Sequence, residues 1–256
     1  MRQLSAFINK EFTEAARNSK ILILGILFVL FGIMNPAFAK LTPWIMENMS
    51  DSLEEAGLAV HEVSVDALTS WTQFHKNIPM ALIVFLLMFS GIMTLEYQKG
   101  TLINMITKGL SRWKVIIAKT VVMVVLWTLG YWLCFGVTYV YNEYFWDNKI
   151  AVNLMFSAVC IYLLGVWTIT LIMLASAIVS TSSAVAVSTG LVFMVMYVVS
   201  MIPHVKKFLP VKLLDASQLP AGVGEPKDYS AAIIITFILI IIDIIASIAA
   251  FNRKNV

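Results

Sequence analysis

Residues 152–202 read VNLMFSAVCIYLLGVWTITLIMLASAIVSTSSAVAVSTGLVFMVMYVVSMI, an apolar run broken as a block only by Ser180, Thr181, Ser182 and Ser183. A bilayer is crossed by roughly 20 apolar residues rising 1.5 Å each, and this run has about twice the length that one crossing needs. Hydroxyl side chains bond nearby backbone groups and favour a tight turn. The run therefore divides there into two spans, 152–179 and 184–202. That division decides the parity of the fold, because it brings the spans to an even number and puts both termini on one side.

Working outward, four more apolar runs occupy 21–39, 78–95, 115–141 and 231–251. They predict an all-α membrane protein with six transmembrane helices, forming one domain over residues 1–256. Hydrophobic residues make up 60% of the chain and charged residues only 13%, against about 25% in soluble domains. The runs lack the apolar-out, polar-in alternation of barrel strands. Residues 1–20 are too charged for a signal peptide. No internal repeat is evident. Cys134 and Cys160 fall inside spans, where a small apolar side chain packs well. No His or Cys lies at ligand spacing, so no metal site is expected. His61, His75 and His204 are scattered and placed outside the membrane.

The Lys and Arg distribution orients the chain. With the N-terminus inside, the inner segments hold Arg2, Lys10, Arg17, Lys20, Lys99, Lys108, Arg112, Lys114, Lys119, Arg253 and Lys254. The outer ones, 40–77 and 203–230 together with the loop at 149, hold Lys40, Lys76, Lys149, Lys206, Lys207, Lys212 and Lys227. The bias puts both termini in the cytoplasm of a multi-pass plasma-membrane protein. The net charge of +3 is thus an orientation signal and not a nucleic-acid footprint.

Two inner segments look built to lie against something. In residues 1–20, Leu4, Phe7, Ile8, Phe12 and Ala15 share one helical face, opposite Arg2, Asn9, Lys10, Thr13 and Arg17. This suits an interfacial helix at the lipid surface. Glu11 sits inside its apolar arc, and either snorkels to the interface or meets a basic group on a neighbouring helix. In residues 96–114, Leu102, Met105 and Ile106 mark a short helix bounded by Gly100 and Gly109. Gly109 serves as C-terminal stop, and Ser111 as N-cap of the next helix.

Here the chain resembles the membrane permeases of type-2 ABC exporters. The resemblance rests on Glu96, Gly100, Thr101, Leu102, Ile106, Lys108, Ser111, Arg112 and Lys119, and on Lys10-Glu11 followed by Arg17. Gly109 departs from the proline that many members carry before Ser-Arg. The resemblance implies that residues 96–114 form the coupling helix, with Glu96, Gly100, Thr101, Leu102, Met105, Ile106, Lys108 and Arg112 as ATPase-coupling residues. It implies two copies of a separate cytoplasmic ATPase, carrying ATP and Mg, paired with a second copy of this permease or a related one. No Gly-x-x-x-x-Gly-Lys-Ser/Thr loop occurs here, so the chain is expected to be a permease without its own ATPase site and without a cofactor.

Asp243 is the acid well inside a span. Its burial costs about 2.5–3.5 kcal/mol, offset by roughly 3–6 kcal/mol from the isoleucines between Ile233 and Ile248. Pairing within the bundle is favoured over an ion relay. Asn35-Pro36 is expected to kink or end the first span. Ala184, Ala186, Ser188, Thr189 and Gly190 suit close helix approach, within a subunit or across a dimer. The outer segment 40–77 carries Glu47, Asp51, Glu54, Glu55, Glu62 and Asp66. Its Trp44, Ile45, Met49, Leu53 and Leu58 suggest a helix on the membrane surface. The acids read as a solvated face or, in the sharper reading, as a cargo vestibule formed by Glu54, Glu55, Glu62 and Asp66. The expected function is export of amphipathic, antimicrobial or cytolytic peptides from a Gram-positive bacterium. Drugs, lipids, glycans or ions are the alternative cargoes. A secondary transporter or a membrane enzyme lacks the convergent polar groups that it would need.

Overall fold

The structure, a computed structural model, describes residues 2–48, 65–107 and 109–254. Its helices are α1 (Arg2–Arg17), α2 (Lys20–Asn48), α3 (Ala67–Phe89), α4 (Thr94–Gln98), α5 (Thr101–Thr107), α6 (Arg112–Phe145), α7 (Leu154–Ile178), α8 (Ser182–Val199), α9 (Pro203–Lys206) and α10 (Ser230–Arg253). Short 3₁₀ stretches cover Asn148–Ile150, Pro210–Ala221 and Pro226–Tyr229. No strand occurs among the described residues. Six helical segments are long and apolar enough to cross a membrane: α2, α3 continued by α4, α6, α7, α8, and α10 with its lead-in.

The hydroxyl cluster does divide the long run. α7 ends at Ile178, and Thr181 caps α8 by accepting from the Ala184 backbone N–H at 3.3 Å. α7 is apolar all round and is the central post, packed against α3, α6, α8, α10 and the Pro210–Ala221 stretch. α8 and α10 are peripheral, and turn Val187, Leu191, Met194, Ile234, Ile241 and Ile245 outward. In water such faces would be a liability; in a bilayer they are the surface that lipid requires.

Close approach inside the bundle depends on two glycines of the spans. A Cβ on Gly130 would lie 2.3 Å from the Phe28 ring, and one on Gly165 would lie 2.3 Å from the Trp127 ring. Phe28 and Trp127 meet edge to face at 5.7 Å. α2 thus seats on α6, and α6 on α7, by an aromatic ring entering the space left by a missing side chain.

Several helices outrun the hydropathy. α2 passes through Pro36 and Pro43 without ending, and Trp44 and Ile45 continue it instead of lying on the membrane surface. Pro36 has no N–H for the Gly32 carbonyl, but Thr138 Oγ1 of α6 donates to that carbonyl at 3.2 Å. Asn35 Nδ2 donates to Thr138 Oγ1 at 2.8 Å, and Asn77 Nδ2 donates to Asn35 Oδ1 at 2.7 Å. α3 begins eleven residues before the expected span because Ala67, Ser70, Trp71, Phe74, His75 and Ile78 bury a 3.6-residue stripe among polar neighbours. His75 is therefore not an outer-loop histidine. It is buried, 2.6 Å from the Trp71 carbonyl and 2.6 Å from Ser157 Oγ of α7.

Candidate functional site

All the charged groups that the structure buries in pairs lie at the end of the bundle that carries both termini. α1 lies across this end, and turns into α2 at Asn18-Ser19, where Ser19 takes the left-handed φ of 57°. Its buried face presents Phe7, Glu11 and Ala15. Glu11 Oε2 accepts from Lys119 Nζ of α6 at 2.8 Å, and Glu11 Oε1 from Lys10 Nζ at 2.9 Å. Glu96 of α4 receives Lys10 Nζ on Oε1 at 2.9 Å and lies 3.1 Å from Lys119 Nζ through Oε2. Glu14 closes the cluster with Lys10 at 2.7 Å. Of the two readings of Glu11, the partner on a neighbouring helix is the one realised.

Lys119 is 1% and Glu11 6% exposed, which makes this a buried cluster and not surface decoration. The oxygens of Glu11, Glu14 and Glu96 converge closely enough for a metal ion, but Lys10 Nζ bonds all three carboxylates. Burial alone would draw the Lys10 ammonium down; its hydrogen bonds to Glu11, Glu14 and Glu96 outweigh that and hold its pKa above the ordinary lysine value. Burial would raise Glu14, and the Lys10 hydrogen bond reverses this and holds it below the usual carboxylate range.

The segment after α4 is shaped by two glycines in the left-handed region, Gly100 at φ 65° and Gly109 at φ 91°. Gly109 N donates to the Ile106 carbonyl at 2.9 Å and Leu110 N to the Met105 carbonyl at 3.2 Å, the paired bonds that stop a helix. Gly109 is thus the expected stop. Ser111 occupies the N-cap position of α6, though its hydroxyl makes no bond to the helix.

The expected partner contact needs correction here. Leu102 is fully buried and Glu96 nearly so, both within this chain, while Met105 and Ile106 pack half-buried on its core. An amphipathic helix seven residues long cannot hold its position alone, so its apolar face is used to anchor it. The outward residues of α5 are Thr101, Asn104 and Thr107. Arg112, read as a coupling residue, also turns inward. Its Nη1 donates to the Phe251 and Lys254 carbonyls at 2.6 and 2.7 Å, at the end of α10. Lys10 and Glu11 belong to the cluster, whereas Arg17 is exposed at the end of α1. Lys108 lies outside the described residues.

Three contacts missed in the sequence complete this end. Lys254 Nζ donates to the Val179 and Ile178 carbonyls at 2.8 and 3.2 Å, capping α7. Burial draws the Lys254 pKa below the ordinary lysine value. Thr94 Oγ1 meets Ser182 Oγ at 2.9 Å, joining α4 to the start of α8. Lys114 Nζ donates to Gln3 Oε1 at 2.6 Å, a second tie between α6 and α1. A lysine amid VIIAKTVV calls for a buried carboxylate partner, and that signal could have found Lys119. Nothing local marks Thr94, Ser182 or Lys254.

Elsewhere, Asp243 Oδ2 accepts from Thr170 Oγ1 at 3.1 Å, and no described Lys or Arg forms an ion pair with it. Ser188 and Thr189 of α8 line a groove against α7. Asp66 caps α3, accepting from Thr69 N at 3.0 Å. Glu54, Glu55 and Glu62 lie outside the described residues, as do Met49, Leu53 and Leu58.

Six helices long and apolar enough to cross a membrane, with a paired, buried charge cluster at the terminus-bearing end, define a multi-pass membrane protein. The chain belongs to the family described as "ABC-2 family transporter protein", which it matches over residues 6–256. It is the membrane subunit of an ABC transporter, a class that works with an ATPase. It is also 22% identical over 234 residues to the uncharacterized transmembrane protein YxlG of Bacillus subtilis (strain 168), covering 90% of this chain and 89% of the relative.

Proposed function

We propose that this chain is the permease of an ATP-driven exporter, with the terminus-bearing end in the cytoplasm and α5 as the element that receives the ATPase. The observation that carries the reading is the bracing of α5. It is a short helix with its apolar face anchored and a polar face turned out. Glu96 ties the segment to α1 and α6, Thr94 to α8, and Arg112 to α10. A push on Thr101, Asn104 and Thr107 therefore reaches four other helices, α1, α6, α8 and α10, through polar contacts and does not dissipate in a loose loop. ATP and Mg belong to the partner chain. Two ATPases meet two permeases in this reading, the second permease being a copy of this chain or a relative, and the plasma membrane is that of a Gram-positive bacterium.

The cargo that the chain supports best is a cationic amphipathic peptide. The support is the acidic stretch with Asp51, Glu54, Glu55 and Glu62 that follows α2 in the sequence; Asp66 is already committed as a cap. At about 8–10 Å of screening length such a field acts only on cargo at the mouth.

The test is co-purification with a cytoplasmic ABC ATPase from the same organism. Asn104→Trp, on the outward face, should abolish assembly and stimulated hydrolysis while thermal unfolding stays at the wild-type temperature. Assembly unchanged by that variant removes α5 as the contact. Export that persists with an inactive ATPase and collapses with the proton gradient would make the protein a secondary transporter.

A further inference from the structure

The terminus-bearing end also contains a cavity of about 520 Å³, bounded by α1, the start of α2, the end of α3, α4, α5 and α6. Its charged lining is four lysines and three glutamates: Lys10, Lys20, Lys99 and Lys119 with Glu11, Glu14 and Glu96. The three carboxylates are all engaged by Lys10 and Lys119. Lys20 and Lys99 form no ion pair among the described residues; Lys20 Nζ instead lies 4.7 Å over the Phe89 ring. The lining thus carries one surplus positive charge, and the two lysines that express it sit on different elements around one space.

Apart from Asn18 and Thr101, the rest of the wall is apolar, with Phe89, Ile92, Leu95 and Val122. The cavity also sits beside the Asn18-Ser19 elbow, where a surface-lying helix turns into a span, and so at headgroup depth. A soluble anion would use the lysines and leave the apolar wall wet. An amphiphile uses both. We propose that this cavity binds the phosphodiester of an anionic phospholipid, with Lys20 and Lys99 on the phosphate and an acyl chain along Phe89 and Ile92. One phosphodiester carries the single negative charge that the lining lacks. Bound there, it ties the start of the first span to the segment that leads into α5. The site does not depend on the direction of transport or on the cargo.

The full-length protein is reconstituted in phosphatidylcholine vesicles doped with phosphatidylglycerol, and bound lipid is counted by native mass spectrometry. Lys20→Gln and Lys99→Gln should each weaken phosphatidylglycerol retention about fivefold, the equivalent of about 1 kcal/mol per lysine near the surface. The double variant should lose about 30-fold on the same scale. Lys207→Gln, an exposed lysine at the opposite end, should lose nothing. Because folding of the variants could be questioned, the wild-type protein is also exposed to a photoactivatable phosphatidylglycerol, which should label the stretch 89–99. Retention unchanged in the double variant, equal loss in Lys207→Gln, or labelling elsewhere overturns the site. Displacement of the lipid by glycerol phosphate at comparable concentration would assign it to a soluble phosphate and overturn the lipid reading.

Discussion

The two ends of the bundle solve the burial of polar groups differently. At the terminus-bearing end, Lys10 and Lys119 each lie within 3.1 Å of both Glu11 and Glu96. In the far half, Asn35, Asn77 and Thr138 form a neutral chain, and His75 and Ser157 a second one. The charged cluster adjoins an open cavity at the bundle's end, whereas the neutral chain is enclosed between α2, α3 and α6. Desolvating an ion is several times costlier than desolvating an amide. Charge is therefore kept where water or headgroups are close. Asp243 aside, whose carboxyl is met by the Thr170 hydroxyl, the depth of the hydrocarbon is left to amides and hydroxyls, some of which repair backbone faults such as Pro36.

The largest effect should come from breaking the charged end asymmetrically. Lys119→Met leaves Glu11 and Glu96 sharing Lys10 alone, and removing one partner of a buried pair costs about 3–5 kcal/mol. Thermal unfolding in detergent should show a marked drop. Converting the group together, with Glu11→Gln, Glu96→Gln and Lys119→Met, should return most of the stability. If the triple variant also transports normally, the cluster is packing and not part of coupling.

A smaller effect is expected from the neutral end. Thr138→Val removes the donor to the Gly32 carbonyl and the acceptor for Asn35, leaving buried groups unsatisfied at a cost of about 1–3 kcal/mol. Equal destabilisation by Thr138→Val and Lys119→Met would erase the distinction between the two ends. Below these comes Arg112→Lys, which keeps the charge and loses the planar fork, at about 1 kcal/mol. Faster amide exchange at the end of α10 is the readout.

The smallest effect is on pH dependence. Glu14 has a folded pKa below its usual 4.5, so its contribution is present above that pH and lost as pH falls through the depressed value. Lys10 has one above 10.5, so its contribution is complete below that pH and lost as pH rises through the raised value. These two groups together contribute no slope between those limits. Glu14→Gln should remove part of the acid limb only, and since Glu14 is half exposed the change is slight. A steep change near neutrality, present in wild type and absent in Glu14→Gln, would contradict the assignment.

The spans were legible because twenty consecutive apolar residues leave few alternatives in water, and the Ser180–Ser183 break was legible because hydroxyls offer the backbone a turn. Gly109 was legible as a stop for an equally local reason. The first eleven residues of α3 were not. Trp71 and His75 carry polar atoms on a buried face, and only partners at Asn148 and on α7 make them tolerable there. Pro36 misled for the same reason, since its compensation comes from Thr138, over a hundred residues away. Glu11 was recognisable as anomalous but not as paired with Lys119. The sequence assigned the apolar residues of α5 to a partner and did not show that Leu102 is buried in the chain's own core, with Met105 and Ile106 packed half-buried against it. Local chemistry shows in sequence; the second half of a long-range polar contact does not.

Arg112 and the carbonyls that it holds are separated by 139 to 142 residues. During synthesis, every span from α6 through α10 must be threaded into the membrane before that guanidinium finds its acceptors. Until then α5 has its glycines and its apolar anchor but not its final fastening. The fastening of this segment is thus completed last, although α5 is translated in the first half of the chain. A nascent chain with only five spans inserted would present an unfastened α5. If α5 receives the ATPase as proposed, recruitment should wait on insertion of the sixth span, with chain order setting the timing.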